Sequence, residues 1–493
     1  MSWRRFPRRL ALAAVLPLAA CTAVGPEYTA PEPSLPAAYS APVPALFQAS
    51  TQGALPERWW ETFRDPILNT LVERGIAANL DLRIAASRVR EARASVRAVT
   101  GASGPQFDLS SEAGVETTRR SGSTSGSSSG SGSGGGTTTE TEGTASAGLG
   151  GVWEIDLFGG NFRSRQAAWA RARQQEALER EALRLTAAEI ARTYIELRAA
   201  QRRLALAETS LDLLRQTFDL VDRRVDTGLA PGLDRSRAQA AVSAFAAEIG
   251  PLRAQIGRFG NALAVLLDEN PGALDPLLAE PRPLPLVERG APLGVPRNLL
   301  RRRPDIQAAE LAIVAATADV GVETADLYPR LTLPGSITLG ISNIGAEGPL
   351  VTSIVAALSA LVNLPIYDGG TRQAEITQAE ERVIQAGLSY RQTLLDALNG
   401  VESALLDYAG SRDRMTALAE AVESNRQAFE QSQALYQGGF ATFIDVLDSQ
   451  RSYNVQLQAL ALAQRDVALQ AINLYSALGT TLEPPERAGQ ADS

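Results

Sequence analysis

From Asn161 to Thr227 the chain contains neither glycine nor proline, and Ala, Arg, Leu, Glu and Gln dominate the stretch. Good helix formers without a breaker predict one continuous helix, about 100 Å long at 1.5 Å per residue. Leu204, Leu211, Leu214, Phe218, Val221 and Val225 keep the three- and four-residue steps of a coiled-coil seam. The segment is too charged to lie in lipid and several times longer than a hydrocarbon core of about 30 Å. Just upstream the period changes from helical to two. Phe107, Leu109, Ala113 and Val115 alternate with Asp108, Ser110, Glu112 and Glu116, and on the return Ala145, Ala147, Leu149, Trp153, Ile155 and Leu157 alternate with Thr144, Ser146, Glu154 and Asp156. That pattern predicts an antiparallel hairpin with one apolar face. Strands of roughly ten residues with a long loop at one end favour a membrane barrel over a soluble sheet.

The second half of the chain repeats the first. VWEIDLFGGNFR from Val152 aligns with VNLPIYDGGTRQ from Val362, and DTGLAPGLDRSRAQ from Asp226 with QGGFATFIDVLDSQ from Gln437. LDLRIAASRVREA from Leu80 aligns with PDIQAAELAIVAA from Pro304, and GPQFDL ending at Leu109 with YPRLTL ending at Leu333. The offset drops from 224 to 210 between these markers, so the first copy carries an insertion where SGSTSGSSSGSGSGGGTTT runs from Ser121 to Thr139. A Gly/Ser tract buries no core and reads as an extended loop.

The resulting plan is a signal segment 1–20, an extended segment 21–62, a first repeat 63–290, a second repeat 291–479 and a polar tail 480–493. The first repeat holds a helix Asp65–Val99, a hairpin at roughly 106–158 with its loop at 121–139, a long helix 161–227 and a helix 233–268. The second holds a helix Asp305–Thr324, a hairpin at roughly 330–367, a long helix 371–437 and a helix 443–478. Within that second hairpin the strands are expected at Arg330–Leu339 and Thr352–Tyr367, with weaker alternation. The fold class is mostly α with a membrane β part: long coiled-coil helices and two hairpins per chain. Four strands left open in lipid would strand backbone donors and acceptors at several kcal/mol each, so several chains must close one barrel.

Composition narrows the chemistry. Of 493 residues none is histidine, and the formal net charge is -8. Without histidine there is no Ser-His or Cys-His nucleophile pair and no imidazole metal ligand, and the acidic balance lacks the footprint of a nucleic-acid binder. No catalytic residue, metal site or cofactor is expected. Arg4, Arg5, Arg8 and Arg9 precede an apolar run from Leu10 to Ala20, too short to span. The only cysteine, Cys21, follows at once in the spelling Leu18-Ala19-Ala20-Cys21.

That spelling resembles a bacterial lipobox, which implies cleavage before Cys21 and a covalent lipid on it, with several acyl chains giving stable anchorage. Thr22 after it implies sorting to the outer membrane. CTAVGPEYTAP, WEIDLFGGNFR, RRRPDIQAAE from Arg301, LPIYDGG from Leu364 and GGFATFIDVLDSQRSYN resemble signatures of the TolC-like outer-membrane factor family, in its lipidated NodT-type branch. The resemblance implies a homotrimer with a twelve-stranded outer-membrane barrel and a helical barrel in the periplasm of a Gram-negative bacterium. It implies partners too: a periplasmic adaptor (membrane fusion protein) and an inner-membrane pump of the resistance-nodulation-division type. Carried over residue by residue, Gly228 and Leu229 with Gly439 and Phe440 match the helix tips that contact the adaptor. Ile444, Asp445 and Asp448 match the periplasmic gate, and Asp234 with Tyr436 the interhelix pair that holds it closed. A basic residue found in some members is replaced here by Ala441.

The expected function is a passive exit duct for drugs or other toxic small molecules. Type I protein secretion and metal-ion export remain open as cargo classes, and a lipid-anchored periplasmic coiled-coil scaffold is the rival of another class. In the gate, Asp445 and Asp448 lie three apart on one helix face, and like charges gathered there are expected to raise some carboxyl pKa values.

Overall fold

The computed structural model describes residues 23–32, 35–44, 47, 56–121, 137–287, 296, 302–344 and 349–479. After a short 3-10 turn at Trp59–Phe63 come α1 (Pro66–Ala78), α2 (Leu80–Ala102), β1 (Gln106–Ser121), β2 (Thr137–Ile155), α3 (Gly160–Asp226), α4 (Gly232–Ala246), α5 (Ile249–Leu266) and the single turn α6 (Asp275–Leu278). The second half supplies α7 (Pro304–Ala325), β3 (Arg330–Ile344), β4 (Leu350–Leu358), β5 (Leu361–Asn363), α8 (Thr371–Gln437) and α9 (Phe443–Ala477). The duplication is visible in these bounds: α3 and α8 are both 67 residues long. Likewise α9 covers in the second copy the span that α4 and α5 share in the first. No described helix is long and apolar enough to cross a membrane.

Two expected helices are broken, each for a local reason. The one placed at Asp65–Val99 divides at Asn79, whose side chain accepts from the amides of Asp81 at 2.9 Å and Leu82 at 3.2 Å and so caps α2. The one placed at 233–268 divides between Ala246 and Ile249. Pro251 lies in the first turn of α5; in a continuous helix its ring would collide with the carbonyl four residues earlier.

Contacts divide the chain into two units. The first is drawn from the described part of residues 1–29, from Glu91–Ala172 and from Ala312–Ala386, and holds the sheet. Its strands are antiparallel in the order β1-β2-β3-β4, with β5 also on β3. The register places Leu109 opposite Leu149, Leu149 opposite Ile337 and Ile337 opposite Ala356. One face therefore gathers Leu109, Leu149 and Ile337 with Ile354, Ala356 and Leu358 of β4, while Glu112 with Ser146, and Ser146 with Gly340, occupy the other. Leu109, Ile354 and Leu358 on the apolar face are each at least 75% exposed in the single chain. The second hairpin differs from expectation at its ends. β3 runs on to Ile344, and the return strand starts at Leu350 and is split after Leu358. Ser359 donates to the carbonyl of Pro334 at 3.0 Å; Pro334 has no N–H to return, so the ladder lapses there before β5 resumes it.

In the same unit the segment after Ala23 is clamped to the start of α3. The Val24 amide donates to the Phe158 carbonyl at 3.0 Å. Arg163, 1% exposed, donates to the Val24 carbonyl at 3.1 Å, to Gln166 at 2.9 Å and to Glu27 at 2.7 Å. Gly25 holds φ +90°, and a Cβ there would lie 2.5 Å from the Cα of Gly321. The Phe158 ring stacks on Tyr328 at 4.7 Å.

The second unit, from Ala30–Arg90, Arg173–Leu311 and the described residues after Gly387, carries the main core. Trp59 stacks on Tyr475 at 5.5 Å and Phe47 meets Tyr408 edge-on at 5.1 Å. A buried polar chain runs through it: Asp65 caps α1 at the Ile67 amide (2.8 Å), the Tyr194 hydroxyl donates to Asp65 at 2.6 Å, and Arg198 donates to the Tyr194 oxygen at 2.9 Å and to the Glu280 carbonyl at 2.7 Å. Burial, with the Asp65 bond, pushes the Tyr194 hydroxyl far above its ordinary pKa. The arginine-rich signature has a packing role. Arg303 donates to the Ala477 carbonyl at 2.8 Å and Arg184 to the Ser476 hydroxyl at 2.6 Å, so two cations meet the C-terminus of α9. Ser40 and Ala41 donate their amides to the two oxygens of Glu402, each at 2.8 Å.

Candidate functional site

Both long helices end in the same way. Gly228 and Gly439 hold φ of +75° and +79°. The next amides reach back over a full turn, Leu229 to the Arg224 carbonyl at 2.7 Å and Phe440 to the Leu435 carbonyl at 2.8 Å. This is the glycine C-cap in which the left-handed residue lets two orphan carbonyls be satisfied. Nothing lies within 4 Å of a Cβ built at either glycine, so conformation and not space selects it. Each cap presents an apolar side chain to solvent, Leu229 at 71% and Phe440 at 85% exposure.

Behind the tips a separate small core gathers Val221, Ala238, Phe429, Tyr436, Phe443 and Val446. Asp234 is buried at its edge and has Arg237 as an ion-pair partner at 3.7 Å. The Tyr436 ring lies under the Arg224 guanidinium at 4.5 Å, and Arg224 donates to the Tyr436 carbonyl at 2.6 Å. Burial, then the negative charge of Asp234, raise the Tyr436 hydroxyl pKa against the pull of Arg224. Within one chain Asp234 and Tyr436 do not hydrogen-bond, and the buried hydroxyl has no partner among the described residues.

The other residues expected at the gate line the start of α9. Ile444, Asp445 and Asp448 are exposed, and the two acids lie one turn apart. The Asp445 carboxylate accepts from the Thr442 amide at 2.8 Å and from the Thr442 hydroxyl at 2.6 Å. Within the single chain those bonds favour the ionised form and hold the carboxyl below its ordinary pKa. Arg224 was not among the expected site residues, and neither was Arg235, which bonds Asp226 and meets Asp222 at 2.5 Å to lock the start of α4 onto the end of α3. The run of Asp219, Asp222 and Asp226 on one side of α3, followed by Arg235, was the available signal. Cys21 lies outside the described residues, as do most of the Gly/Ser tract and the tail 480–493.

An antiparallel sheet of two hairpins, the last strand split into β4 and β5, together with two copies of a 67-residue helix, defines a subunit of an outer-membrane duct. The comparisons agree. The family described as outer membrane efflux protein matches residues 71–268 and 295–480. Nodulation protein T of Rhizobium leguminosarum bv. trifolii is 31% identical over 468 residues, 94% of this chain and 96% of its own. The cation efflux system protein CusC of Escherichia coli O6:H1 is 28% identical over 477 residues, 94% of this chain and 96% of its own. The solved structure of the outer-membrane channel OprN superposes with a TM-score of 0.79 at 32% identity, covering 92% of this chain and 98% of that one. The chain belongs to the outer membrane efflux protein family. Its relatives are outer-membrane transport proteins, not enzymes.

Proposed function

We propose that three copies of this chain close one twelve-stranded barrel and form the exit duct of a tripartite efflux system. In this reading an inner-membrane pump of the resistance-nodulation-division type and a periplasmic adaptor hand over toxic small molecules, and the duct conducts them passively. The observation that carries it is the open sheet: β1 and β4 are edges, and in lipid their unpaired backbone groups demand another copy of the chain. Cys21 carries the lipid that anchors the protein to the outer membrane, the larger part lying in the periplasm. Gly228, Leu229, Gly439 and Phe440 meet the adaptor. Ile444, Asp445 and Asp448 form the periplasmic constriction, and Tyr436, whose hydroxyl lacks a partner among the described residues of the chain, joins Asp234 in closing it between copies. Cargo is the open part of the proposal, since one relative is named for cation efflux and another for nodulation. Protein secretion and metal-ion export are the alternatives.

Purified protein in planar bilayers tests this. Conductance with cation selectivity, and a trimer that survives mild SDS, are expected; a monomer without conductance would leave the lipid-anchored scaffold as the better reading. Relief of divalent-cation block in Asp448→Ala and Asp445→Ala/Asp448→Ala assigns the constriction.

A further inference from the structure

The apolar face of the sheet is not evenly covered. Gly151 of β2 stands directly opposite Gly335 of β3, while most neighbouring positions of the face carry a large apolar side chain. Two missing side chains leave a groove of about 570 Å³, walled by Phe107, Trp153, Leu333 and Leu358. The walls lean into it: a Cβ at Gly151 would lie 2.8 Å from the Phe107 ring, and one at Gly335 would lie 3.4 Å from the Leu358 methyl. The volume falls in the range of small-molecule sites, about 300–1,000 Å³. In a barrel this face looks into lipid, so the occupant is apolar and slender.

The chain's own N-terminus supplies one nearby. Ala23 is pressed against Gly159, where a Cβ would lie 2.4 Å from that of Ala23, and the Val24 amide is bonded to Phe158. The buried Arg163 grips the Val24 carbonyl and Glu27, so the point from which the chain leads back to Cys21 is fixed just past the end of β2. Cys21 is two residues further on, at most roughly 7 Å of chain. Gly151 lies seven residues before Phe158, to which Val24 is bonded, at most roughly 23 Å of extended chain. An acyl chain spanning half a bilayer core covers about 15 Å. Reach and groove match.

We infer that the Gly151–Gly335 groove seats an acyl chain carried on Cys21, making the anchor part of the barrel wall and not a free tether. The inference rests on the proposed lipidation of Cys21. It commits to the tethered chain over a bilayer phospholipid of the same chemistry, because Arg163 and the two glycine contacts hold the tether beside the groove whereas nothing there selects a headgroup.

The test uses the full chain expressed in cells fed a palmitate analogue bearing a diazirine near its end. After irradiation and digestion, the Cys21 peptide is expected joined to peptides containing Gly151 or Gly335, with these links lost in Gly335→Phe and Ala356→Phe, which fill the groove from different strands. Should both variants fail to assemble, the wild-type link map decides alone. Analogue present on Cys21 but linked elsewhere overturns the groove and leaves lipidation standing. Analogue absent from the Cys21 peptide, as in a Cys21→Ser control exported by a substitute signal peptide, overturns the lipidation reading itself. A photoreactive phospholipid added to purified protein separates the sources: several-fold more groove labelling is expected in Cys21→Ser than in wild type, and equal labelling assigns the groove to bilayer lipid.

Discussion

Asp234 and Asp445 occupy the same position in the two copies of the repeat, each the third residue of the helix that leaves a tip. One is buried against Arg237 and the other is exposed and closed onto Thr442. The residue before each helix explains the divergence. Pro231 offers neither an N–H nor a hydroxyl, so Asp234 closes no capping box and instead has Arg237, one turn on, as its ion-pair partner; Thr442 offers both. A duplicated hairpin has thus acquired two kinds of tip through one residue outside each helix.

The Thr442 bonds make the second tip sensitive to acid. Because the Asp445 pKa is depressed on folding, its contribution is complete above its ordinary value of about 3.9 and fades as pH falls through the lower folded value. Hydrogen exchange at residues 443–447, corrected for intrinsic rates, is expected to be several-fold faster in Asp445→Asn than in wild type at pH 7. The two should converge once the pH falls below the folded-state pKa of Asp445. Equal protection at pH 7 would show that the bonds contribute nothing.

Two glycine substitutions are expected to differ sharply. Gly439→Ala meets no atom within 4 Å and carries only the left-handed strain, about 1–2 kcal/mol. Gly25→Ala carries that strain and also drives a methyl to 2.5 Å from the Gly321 backbone. Thermal unfolding in detergent should show the larger loss for Gly25→Ala, and easier proteolysis within residues 23–44.

The polar chain in the main core makes a graded prediction. Tyr194→Phe leaves Asp65 and Arg198 each short of a buried bond, a loss of about 1–3 kcal/mol. Arg198→Ala opens a larger void and strands Tyr194, Gln201 and the Glu280 carbonyl, at about 3–5 kcal/mol. Chemical-denaturation midpoints should fall in that order; the reverse order would mean the tyrosine hydroxyl is the keystone.

At the helix tips the two partners of the cation–π contact should separate. Arg224→Ala removes the ring contact and the bond to the Tyr436 carbonyl, so single-channel conductance is expected to rise as the tip loosens. Tyr436→Phe removes a hydroxyl that has no partner inside the chain among the described residues. A rise in conductance there requires a partner on a neighbouring copy, and unchanged conductance removes Tyr436 from the closing pair.

Much of the architecture is legible from periodicity, because helix and strand repeats write themselves directly into apolar spacing. The unbroken helical stretch from Asn161 onward and the offsets of the duplication are of this kind. What periodicity does not carry is which side chains meet across elements. Asn79 and Pro251 interrupt helices through one local bond or one clash that hardly disturbs the apolar pattern. Pro334 lies within β3, yet its effect falls on the facing strand at Ser359. The tip residues Leu229 and Phe440 could be located from their glycines, whereas Arg224 and Arg235 act through partners 212 and 9–13 residues away.

The two unlike edges of the sheet, β1 and β4, bear on inheritance. Copies joined β1 to β4 form a head-to-tail ring, and such a ring closes only if every member offers both edges. A mutant chain with a ruined β4 but a sound β1 still enters the ring and then blocks it. In a cell expressing both versions, sound rings fall as the healthy fraction raised to the number of copies in the ring, so the damage is dominant. A mutation that stops the chain from reaching the membrane at all leaves the other allele's product untouched and is recessive.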